Sequence, residues 1–301
     1  MSRLGTDTAT ALAVGRRDRQ EDAVVAEFSQ GEGIGFAVLS DGMGGHGAGD
    51  VASKLIVSEM FSELLFSCAD ADHVRGASSD ILRGALDVAN SRLKDHAESQ
   101  PDPDGMGGTL ITTMVIDNAL RWISVGDSPL YLFRDGALRQ LNEDHSMAPQ
   151  IDLLVAKGLM DAKAARNHPQ RHCLTSAITG EAIDKIDCPD EALPLEPGDI
   201  IVMASDGLQV LDDAEIQRVI AKRRKLDSRG LANALMAAVT AADEPHQDNI
   251  SLVVIKMLPA VAEARAAAPA PRAGRTRVGL RRWFLSPVRS LFATSDGNCQ
   301  P

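Results

Sequence analysis

Acidic residues stand at the ends of apolar segments at five places along the chain. The five places are Glu21-Asp22, Asp41, Asp127, Asp206 and Asp248. A single aspartate at a strand end is by default a turn or cap residue. Five such places in one chain instead predict a shared metal site, because Mg²⁺ and Mn²⁺ prefer carboxylates, backbone carbonyls and water as ligands. Asp41 and Asp206 also share the sequence Ser-Asp-Gly at the end of an apolar run, which strengthens that prediction.

The glycine-rich segment after Asp41 has two interpretations. Gly42, Gly44 and Gly47 have the G-x-G-x-x-G spacing of a dinucleotide-binding loop, which would make the chain a nucleotide-binding oxidoreductase. Asp41 argues against this, because its carboxylate would face a pyrophosphate, and no parallel strand with an acidic end follows. We therefore favour a loop whose glycines let the backbone approach a metal ion.

Short apolar runs and turn residues predict strands that are interrupted by pairs of helices. The predicted strands span residues 23–28, 34–40, 109–116, 119–125, 130–134, 200–204 and 250–257. The predicted helices span residues 51–66, 80–96, 213–224 and 228–240, with a loop at 100–108 and a partly helical segment at 142–172. Strict β-α-β alternation is absent, which favours antiparallel sheets covered by helices, an α+β fold, over a doubly wound parallel sheet.

The composition is typical of a globular protein of the reducing cytoplasm. Of the 301 residues, 44% are hydrophobic, which is enough for a large buried core. The four cysteines form no C-x-x-C pair and predict no disulfide framework. We find no run of about eighteen apolar residues and no signal peptide, so we expect a cytoplasmic protein, and we expect it to be a monomer.

The charge of the chain is divided unevenly. The net charge is −11, yet residues 260–301 carry seven of the 31 basic residues and only two of the 42 acidic ones. An acidic body repels nucleic acid, which excludes DNA and RNA as expected partners. The composition changes after Met257 and predicts a catalytic domain at 1–258 and a basic tail at 259–301. A short amphipathic segment in that tail could contact a membrane surface or a protein groove, or the tail could touch the acidic body.

Six motifs, in this order, resemble those of the protein phosphatase type 2C family in its bacterial form. They are Arg17-Asp-Arg-Gln-Glu21-Asp22, Ser40-Asp41-Gly42-Met43-Gly44-Gly45-His46, Gly107-Gly108-Thr109, Val125-Gly126-Asp127-Ser128, Ser205-Asp206-Gly207 and Asp248-Asn249. Residues 142–146 and 167–169 are similar to the flap region of that family. The resemblance covers about residues 8–257, and its strength lies in the order and spacing of all six motifs.

The resemblance implies a fold and a reaction. The fold is a four-layer αββα sandwich, with two antiparallel β-sheets between layers of helices. The reaction is hydrolysis of phosphoserine and phosphothreonine in proteins by a metal-activated water, with a bacterial Ser/Thr kinase or its substrates as expected partners. The alternative is an inactive module of the same fold that binds phosphoproteins or regulates a kinase.

The resemblance also implies two core ions, Mn²⁺ or Mg²⁺. Asp41 would bridge both of them, and the carbonyl of Gly42 would help to hold the first. Asp206 and Asp248 would hold the second. Asn249 would support the site by orienting Asp248.

Further roles are implied by position. Glu21 and Asp22 would act through metal-bound water, and Asp127 would join Asp206 at a third, weaker ion. Arg17 would bind the substrate phosphate, since a guanidinium offers paired N–H donors to two phosphate oxygens.

Two residues depart from patterns seen in the family. Met43 stands where eukaryotic relatives have a histidine that is proposed to protonate the leaving group, so the proton donor is unassigned. His46 lies nearby, and we expect it to line or cap the glycine loop rather than to react. Pro129 follows Gly-Asp-Ser where the family often has arginine; because proline lacks an N–H, we expect an edge or bulged strand there.

Overall fold

The computed structural model describes residues 3–28, 33–45, 47–100 and 105–260. The strands are β1 (Gly5–Ala13), β2 (Asp22–Glu27), β3 (Ile34–Gly44), β4 (Met106–Gly108), β5 (Leu110–Ile116), β6 (Ala119–Val125), β7 (Leu130–Arg134), β8 (Ala137–Gln140), β9 (Leu193–Pro194), β10 (Ile200–Ala204) and β11 (Ile250–Leu258). The helices are α1 (Ala48–Ser67), α2 (Ala71–Ser99), α3 (Ala148–Ala156), α4 (Ala162–Arg166), α5 (Asp213–Arg223) and α6 (Ser228–Ala242), with a 3-10 turn at Asp206–Val210.

The described strands form two sheets. One has the order β1-β11-β10-β7-β8, and the other has the order β2-β3-β5-β6-β9, with β4 added beside β3. Every paired strand in these ranges runs antiparallel to its neighbour. The predicted α+β fold with antiparallel sheets is therefore confirmed.

The sheets and helices stack in four layers. Side chains of both sheets meet in a central core, where Leu39 and Ile111 of one sheet pack with Ile201 and Val253 of the other. The outer face of the β3 sheet is covered by α1 and α2, and that of the β10 sheet by α5 and α6. Because successive side chains of a strand point to opposite faces, a central strand covered on both sides is apolar throughout. This explains why all five residues of β10 are buried.

Helix α5 begins where its sequence provides a cap. The Asp212 carboxylate accepts a hydrogen bond from the Glu215 N–H at 2.8 Å, and the Glu215 carboxylate accepts one from the Asp212 N–H at 3.1 Å. Such a reciprocal cap contributes about 1 kcal/mol to helix stability. It fixes the start of the helix that follows the 3-10 turn carrying Asp206.

Three expectations about local structure were wrong or incomplete. Residues 106–108 are strand β4 rather than loop, since Gly107 and Gly108 let the two backbones pair, with Gly42 opposite Gly108. Strand β1 was not predicted, because its Thr- and Ala-rich sequence is weakly apolar. Pro129 does not mark an edge strand, since β7 lies between β10 and β8; the proline precedes the strand, where no ladder N–H is lost.

The predicted domain boundary lies at the end of the described chain. Strand β11 continues to Leu258, which pairs with Gly5 at the start of β1. The predicted tail and its amphipathic segment fall on residues 261–301, outside the described residues, so both stay predictions. Within the described ranges, no helix is long and apolar enough to cross a membrane.

Candidate active site

An open cleft of about 760 Å³ lies at one end of the sandwich. Eight of the nine predicted site residues line it: Arg17, Glu21, Asp41, Gly42, Asp127, Asp206, Asp248 and Asn249. The ninth, Asp22, does not line the cleft; its side chain is buried, with a relative exposure of 2%. The strand-end residues predicted from the sequence are thus brought together.

Antiparallel pairing explains why these residues meet. In such a pair the end of one strand lies beside the start of its neighbour. Asp22 at the start of β2 is the register partner of Asp41 on β3. Ala204 at the end of β10 pairs with Leu252 near the start of β11, which brings Asp206 and Asp248 to the same edge. Both sheets therefore present carboxylates at the same end of the sandwich.

Asp41 is fixed by hydroxyl groups from two of the motifs. Its N–H donates to Oγ1 of Thr109 at 3.0 Å, and its carbonyl accepts from the Thr109 N–H at 2.8 Å. The Thr109 hydroxyl is in turn 2.8 Å from Oγ of Ser128. Gly108 must be small, because an added Cβ would lie 3.0 Å from the Asp41 carbonyl oxygen. The Gly-Gly-Thr and Gly-Asp-Ser motifs therefore position Asp41.

Gly42 is required by backbone packing. A Cβ added there would lie 2.0 Å from the carbonyl oxygen of Gly49 and 2.6 Å from that of Glu21. The Gly42 N–H donates to the same Glu21 carbonyl at 3.0 Å. The dinucleotide interpretation loses its structural basis, because β3 pairs only antiparallel with β2, β4 and β5.

Asp22 lies beneath the cleft, between the sheets. Its Oδ2 accepts a hydrogen bond from the Ser205 hydroxyl at 2.7 Å, while its Oδ1 is buried with no hydrogen-bond partner. Burial raises the pKa of Asp22 to about 6, with further increases from Asp206 and Asp248, although the neighbouring hydroxyls of Ser205 and Ser251 act in the opposite direction.

The carboxylates around the cleft raise one another's pKa values. Burial, followed by the charges of Asp22 and Asp206, holds the pKa of Asp41 well above its usual range. Burial and Asp206 raise the pKa of Asp127 to about 8. Burial and then Asp248 raise the pKa of Asp206, against a lowering influence from nearby cationic side chains. Negative charge gathered in this way is unfavourable unless protons or cations neutralise it.

The side chains present fit hard divalent cations. The acidic residues of the cleft supply oxygen ligands, and Oδ1 of Asp206 is buried without a hydrogen-bond partner. Among the described residues, no three His, Cys, Asp or Glu side chains already form a group that could hold one ion. Mg²⁺ is commonly held by one or two carboxylates and several waters, so such a triad is not required. The fit to a divalent cation therefore rests on the oxygen chemistry of the ligands rather than on a preformed cage.

Asn249 joins the two loops at the rim of the cleft. Its Nδ2 donates to the carbonyls of Val14 and Arg19, both at 2.8 Å, and its Oδ1 accepts from the Glu21 N–H at 2.6 Å. The side chain is buried, so these bonds are shielded from water. Asn249 therefore fastens the loop that carries Arg17 and Glu21 to the start of β11.

The family is established by comparison with known proteins. A family model described as protein phosphatase 2C matches residues 14–238 of the chain. The chain belongs to the protein phosphatase 2C family. The resemblance inferred from the six motifs is thereby confirmed.

Two bacterial proteins of the phosphatase 2C family match most of this chain. The serine/threonine protein phosphatase PstP of Mycobacterium tuberculosis is 31% identical over 238 residues, which cover 79% of this chain and 42% of that protein. The chain thus spans less than half of the length of that relative. The serine/threonine phosphatase stp of Listeria monocytogenes is 29% identical over 245 residues, covering 80% of this chain and 91% of that one.

Solved structures of phosphatase 2C relatives share the fold. The crystal structure of PstP from M. tuberculosis gives a TM-score of 0.70 at 29% identity and covers 84% of this chain and 99% of that chain. The structure of the PstP catalytic domain in complex with two manganese ions gives a TM-score of 0.67 at 28% identity and covers 85% of this chain and 99% of that chain. The structure of PppA, a key regulatory component of T6SS in Pseudomonas aeruginosa, gives a TM-score of 0.67 at 28% identity. It covers 86% of this chain and 100% of that chain.

One wall of the cleft was not predicted. It consists of residues from the segment after the predicted flap: His172, Cys173, Leu174, Thr175, Ser176, Ala177, Thr179, Ala182 and Asp184. Isolated bridges from Ser146 to Leu174 and from Gly108 to Ile178 hold the segment in place. The polar run Thr175-Ser176 after the flap motif was the one signal available. Met43 lines the cleft as well, whereas His46 lies outside the described residues.

Replacing Asn249 should weaken metal binding as well as the fold. Asn249→Ala removes three hydrogen bonds and should lower the free energy of unfolding by about 1–3 kcal/mol. It should also reduce Mn²⁺ affinity, measured by isothermal titration calorimetry, because Glu21 is no longer fixed beside Asp248. Asn90→Ala is the control, since Asn90 makes comparable bonds to Gly180 and Glu181 from helix α2. Equal Mn²⁺ affinities in the two variants would contradict the role given to Asn249.

Metal binding should release protons. Because the pKa of Asp22 is raised to about 6 and that of Asp127 to about 8, both carboxyls are partly protonated between those values. A carboxyl whose pKa is raised by folding costs stability wherever the unfolded chain has lost the proton that the folded chain keeps. The metal-free protein should therefore lose stability as the pH rises from the ordinary carboxyl pKa of about 4 to about 8. Mn²⁺ should restore that stability.

Calorimetry in two buffers of different ionisation enthalpy measures the proton release directly. Asp127→Asn should remove the part of the release that persists nearest to pH 8, where the Asp127 carboxyl titrates. Metal binding without proton release at any pH between 6 and 8 would contradict this account.

Proposed function

We propose that this chain hydrolyses phosphoserine and phosphothreonine in proteins with the help of Mn²⁺ or Mg²⁺ ions. The observation that carries the proposal is the meeting of Asp41, Asp206 and Asp248 with Arg17 in one open cleft. Phosphatase 2C relatives named as serine/threonine phosphatases, one of them in complex with two manganese ions, support it.

The proposed ligands divide between two core ions and a third. Asp41 would be a ligand of both core ions, the carbonyl of Gly42 would help to hold one, and Asp206 and Asp248 would hold the other. Asp127, together with Asp206, would hold a weaker third ion. Bound divalent ions would neutralise the phosphate charge and lower the pKa of a bound water to about 7, so that hydroxide forms at working pH.

Other residues bind and position. Arg17 lies at the mouth of the cleft with half of its side chain exposed, and it binds the substrate phosphate through paired N–H donors. Glu21 lines the cleft, where it would orient water bound to an ion. Asp22 would do the same from beneath, since Ser205 donates to one of its oxygens and the other has no hydrogen-bond partner. Asn249 keeps Arg17 and Glu21 in place.

The proton donor for the leaving serine oxygen has no assigned residue. Met43 occupies the cleft beside Gly42, and a thioether has no proton to donate. Among the described residues that line the cleft, the one histidine is His172 on the opposite wall. A metal-bound water could serve in place of a side chain.

The proposed biological role is removal, in the bacterial cytoplasm, of phosphate groups that a Ser/Thr kinase has added to proteins. Residues 1–258 form the proposed catalytic domain, which acts as a monomer on phosphorylated proteins. The acidic cleft disfavours nucleic acid as a partner. Contact of residues 259–301 with a membrane surface or another protein stays a prediction.

An inactive binding module is the alternative function. It would require the loss of at least one metal ligand, and the proposed ligands Asp41, Asp127, Asp206 and Asp248 all line the cleft. Metal binding without turnover would favour this alternative. Turnover of a phosphopeptide would exclude it.

Asp206→Asn should abolish turnover and leave the fold intact. The change keeps the shape of the side chain but removes a charge that the proposed ion requires, so we expect loss of more than about 100-fold in kcat/KM. The assay is Mn²⁺-dependent hydrolysis of p-nitrophenyl phosphate and of a phosphothreonine peptide, with EDTA as a further control. Asp243→Asn is the matched variant, because Asp243 is an exposed carboxylate that pairs with Arg16. Activity that survives EDTA would refute the metal-dependent reaction.

A further inference from the structure

Arg17 and Asp248 form an ion pair at the mouth of the cleft. Nη2 of Arg17 lies 2.5 Å from Oδ2 of Asp248, and the side chains are 54% and 36% exposed. The same two residues have separate proposed roles, Arg17 at the phosphate and Asp248 at the metal. In this structure, therefore, the guanidinium that is proposed to bind phosphate is paired with a carboxylate that is proposed to bind metal.

Both carboxylate oxygens of Asp248 are engaged. Oδ1 accepts a hydrogen bond from the N–H of Asn249 at 2.7 Å, while Oδ2 accepts from Arg17. The bond to Oδ1 comes from the next residue of the backbone and orients the carboxylate. A cation that approaches Asp248 therefore meets the guanidinium at the outward oxygen.

The backbones that carry the pair are fixed to one another. The Arg16 N–H donates to the carbonyl of Gln247 at 2.8 Å, and Asn249 holds the carbonyls of Val14 and Arg19. Gly15 adopts φ +66°, and a Cβ on it would lie 2.2 Å from the Asp248 carbonyl oxygen. Exchange at Asp248 must therefore come from rotation of the long Arg17 side chain rather than from movement of the loop.

We propose that Arg17 takes the place of a metal ion at Asp248 in the metal-free protein, and that a divalent cation displaces it and frees its guanidinium for the substrate phosphate. The inference rests on the proposed metal site. Arg17 would then compete with the metal for Asp248 as well as bind the substrate phosphate. This exchange also couples the two binding events, because metal bound at Asp248 leaves Arg17 more often free to bind phosphate.

The competition should be weak but measurable. An exposed ion pair contributes little, so a cation displaces it at small cost. A guanidinium keeps its charge at every accessible pH, so the competition should not disappear as the pH is raised. We expect removal of the guanidinium to tighten Mn²⁺ binding by about three- to five-fold, which corresponds to the upper part of the range for exposed pairs.

The test measures Mn²⁺ affinity without substrate or phosphate. Free Mn²⁺ is titrated by electron paramagnetic resonance against the full chain and against the variants Arg17→Gln and Arg16→Gln. Arg16 is the matched control, because it is the adjacent arginine and pairs with Asp243 at 2.6 Å. Arg17→Gln should bind Mn²⁺ about three- to five-fold more tightly, and Arg16→Gln should bind it like the parent chain.

Nuclear magnetic resonance gives a second readout. The Arg17 side-chain N–H signal, assigned by its loss in Arg17→Gln, should move to the position of an unpaired guanidinium when diamagnetic Mg²⁺ is added. The Arg16 signal should stay in place. This measurement needs neither turnover nor a change in affinity.

Each outcome bears on one proposal or both. Unchanged or weaker Mn²⁺ binding in Arg17→Gln, or the same tightening in Arg16→Gln, would overturn the exchange while the proposed function stands. An Arg17 signal that Mg²⁺ does not move would do the same. If the parent chain does not bind Mn²⁺, or binds it no better than Asp206→Asn does, the proposed metal site fails and the exchange fails with it.

Discussion

Repulsion between buried carboxylates is the constraint on which this end of the molecule depends. Asp22, Asp41, Asp127 and Asp206 lie in or under one cleft, and burial together with their mutual charge raises the pKa of each. A fold does not gather such groups for its own stability, because ionised carboxylates without partners oppose folding. The arrangement becomes favourable when divalent cations supply the missing charge, so the energetic cost of the metal-free fold is itself an argument for function.

The antiparallel sandwich holds these groups by its geometry. Strand ends from both sheets meet at one edge, and small hydroxyl residues fill the space behind the carboxylates. Thr109 and Ser128 support Asp41 from one sheet, while Ser205 joins Asp22 to the other. These hydroxyls carry no charge, so they position the backbone of Asp41 and the carboxylate of Asp22 without removing the need for a cation. The hydroxyl residues therefore position the site, whereas the carboxylates supply its negative charge.

The sequence predicted the parts of the site that have a local signature. Asp41, Asp127, Asp206 and Asp248 could be predicted because an acidic residue beside an apolar run is visible without any knowledge of the fold. Strand β4 was missed because its short glycine-rich sequence is typical of a loop, and its pairing depends on contact with β3. The wall around His172 could not be predicted, since the segment that forms it is held at the cleft by bridges to Ser146 and Gly108, which are distant in the sequence. The burial of Asp22 is likewise a tertiary property.

Asn249 has a position that is visible in the sequence and a role that is visible only in the fold. In the sequence it is one polar residue after Asp248, and nothing local distinguishes it from a turn residue. In the fold its three hydrogen bonds join the start of β11 to the loop between β1 and β2, so the residues proposed to bind phosphate and metal are held in one frame. That frame is what allows Arg17 and Asp248 to pair. The two opposite charges are fixed this close together and neutralise each other in the pair. If each has its proposed role, the same closeness would make the binding of metal and the binding of phosphate interdependent.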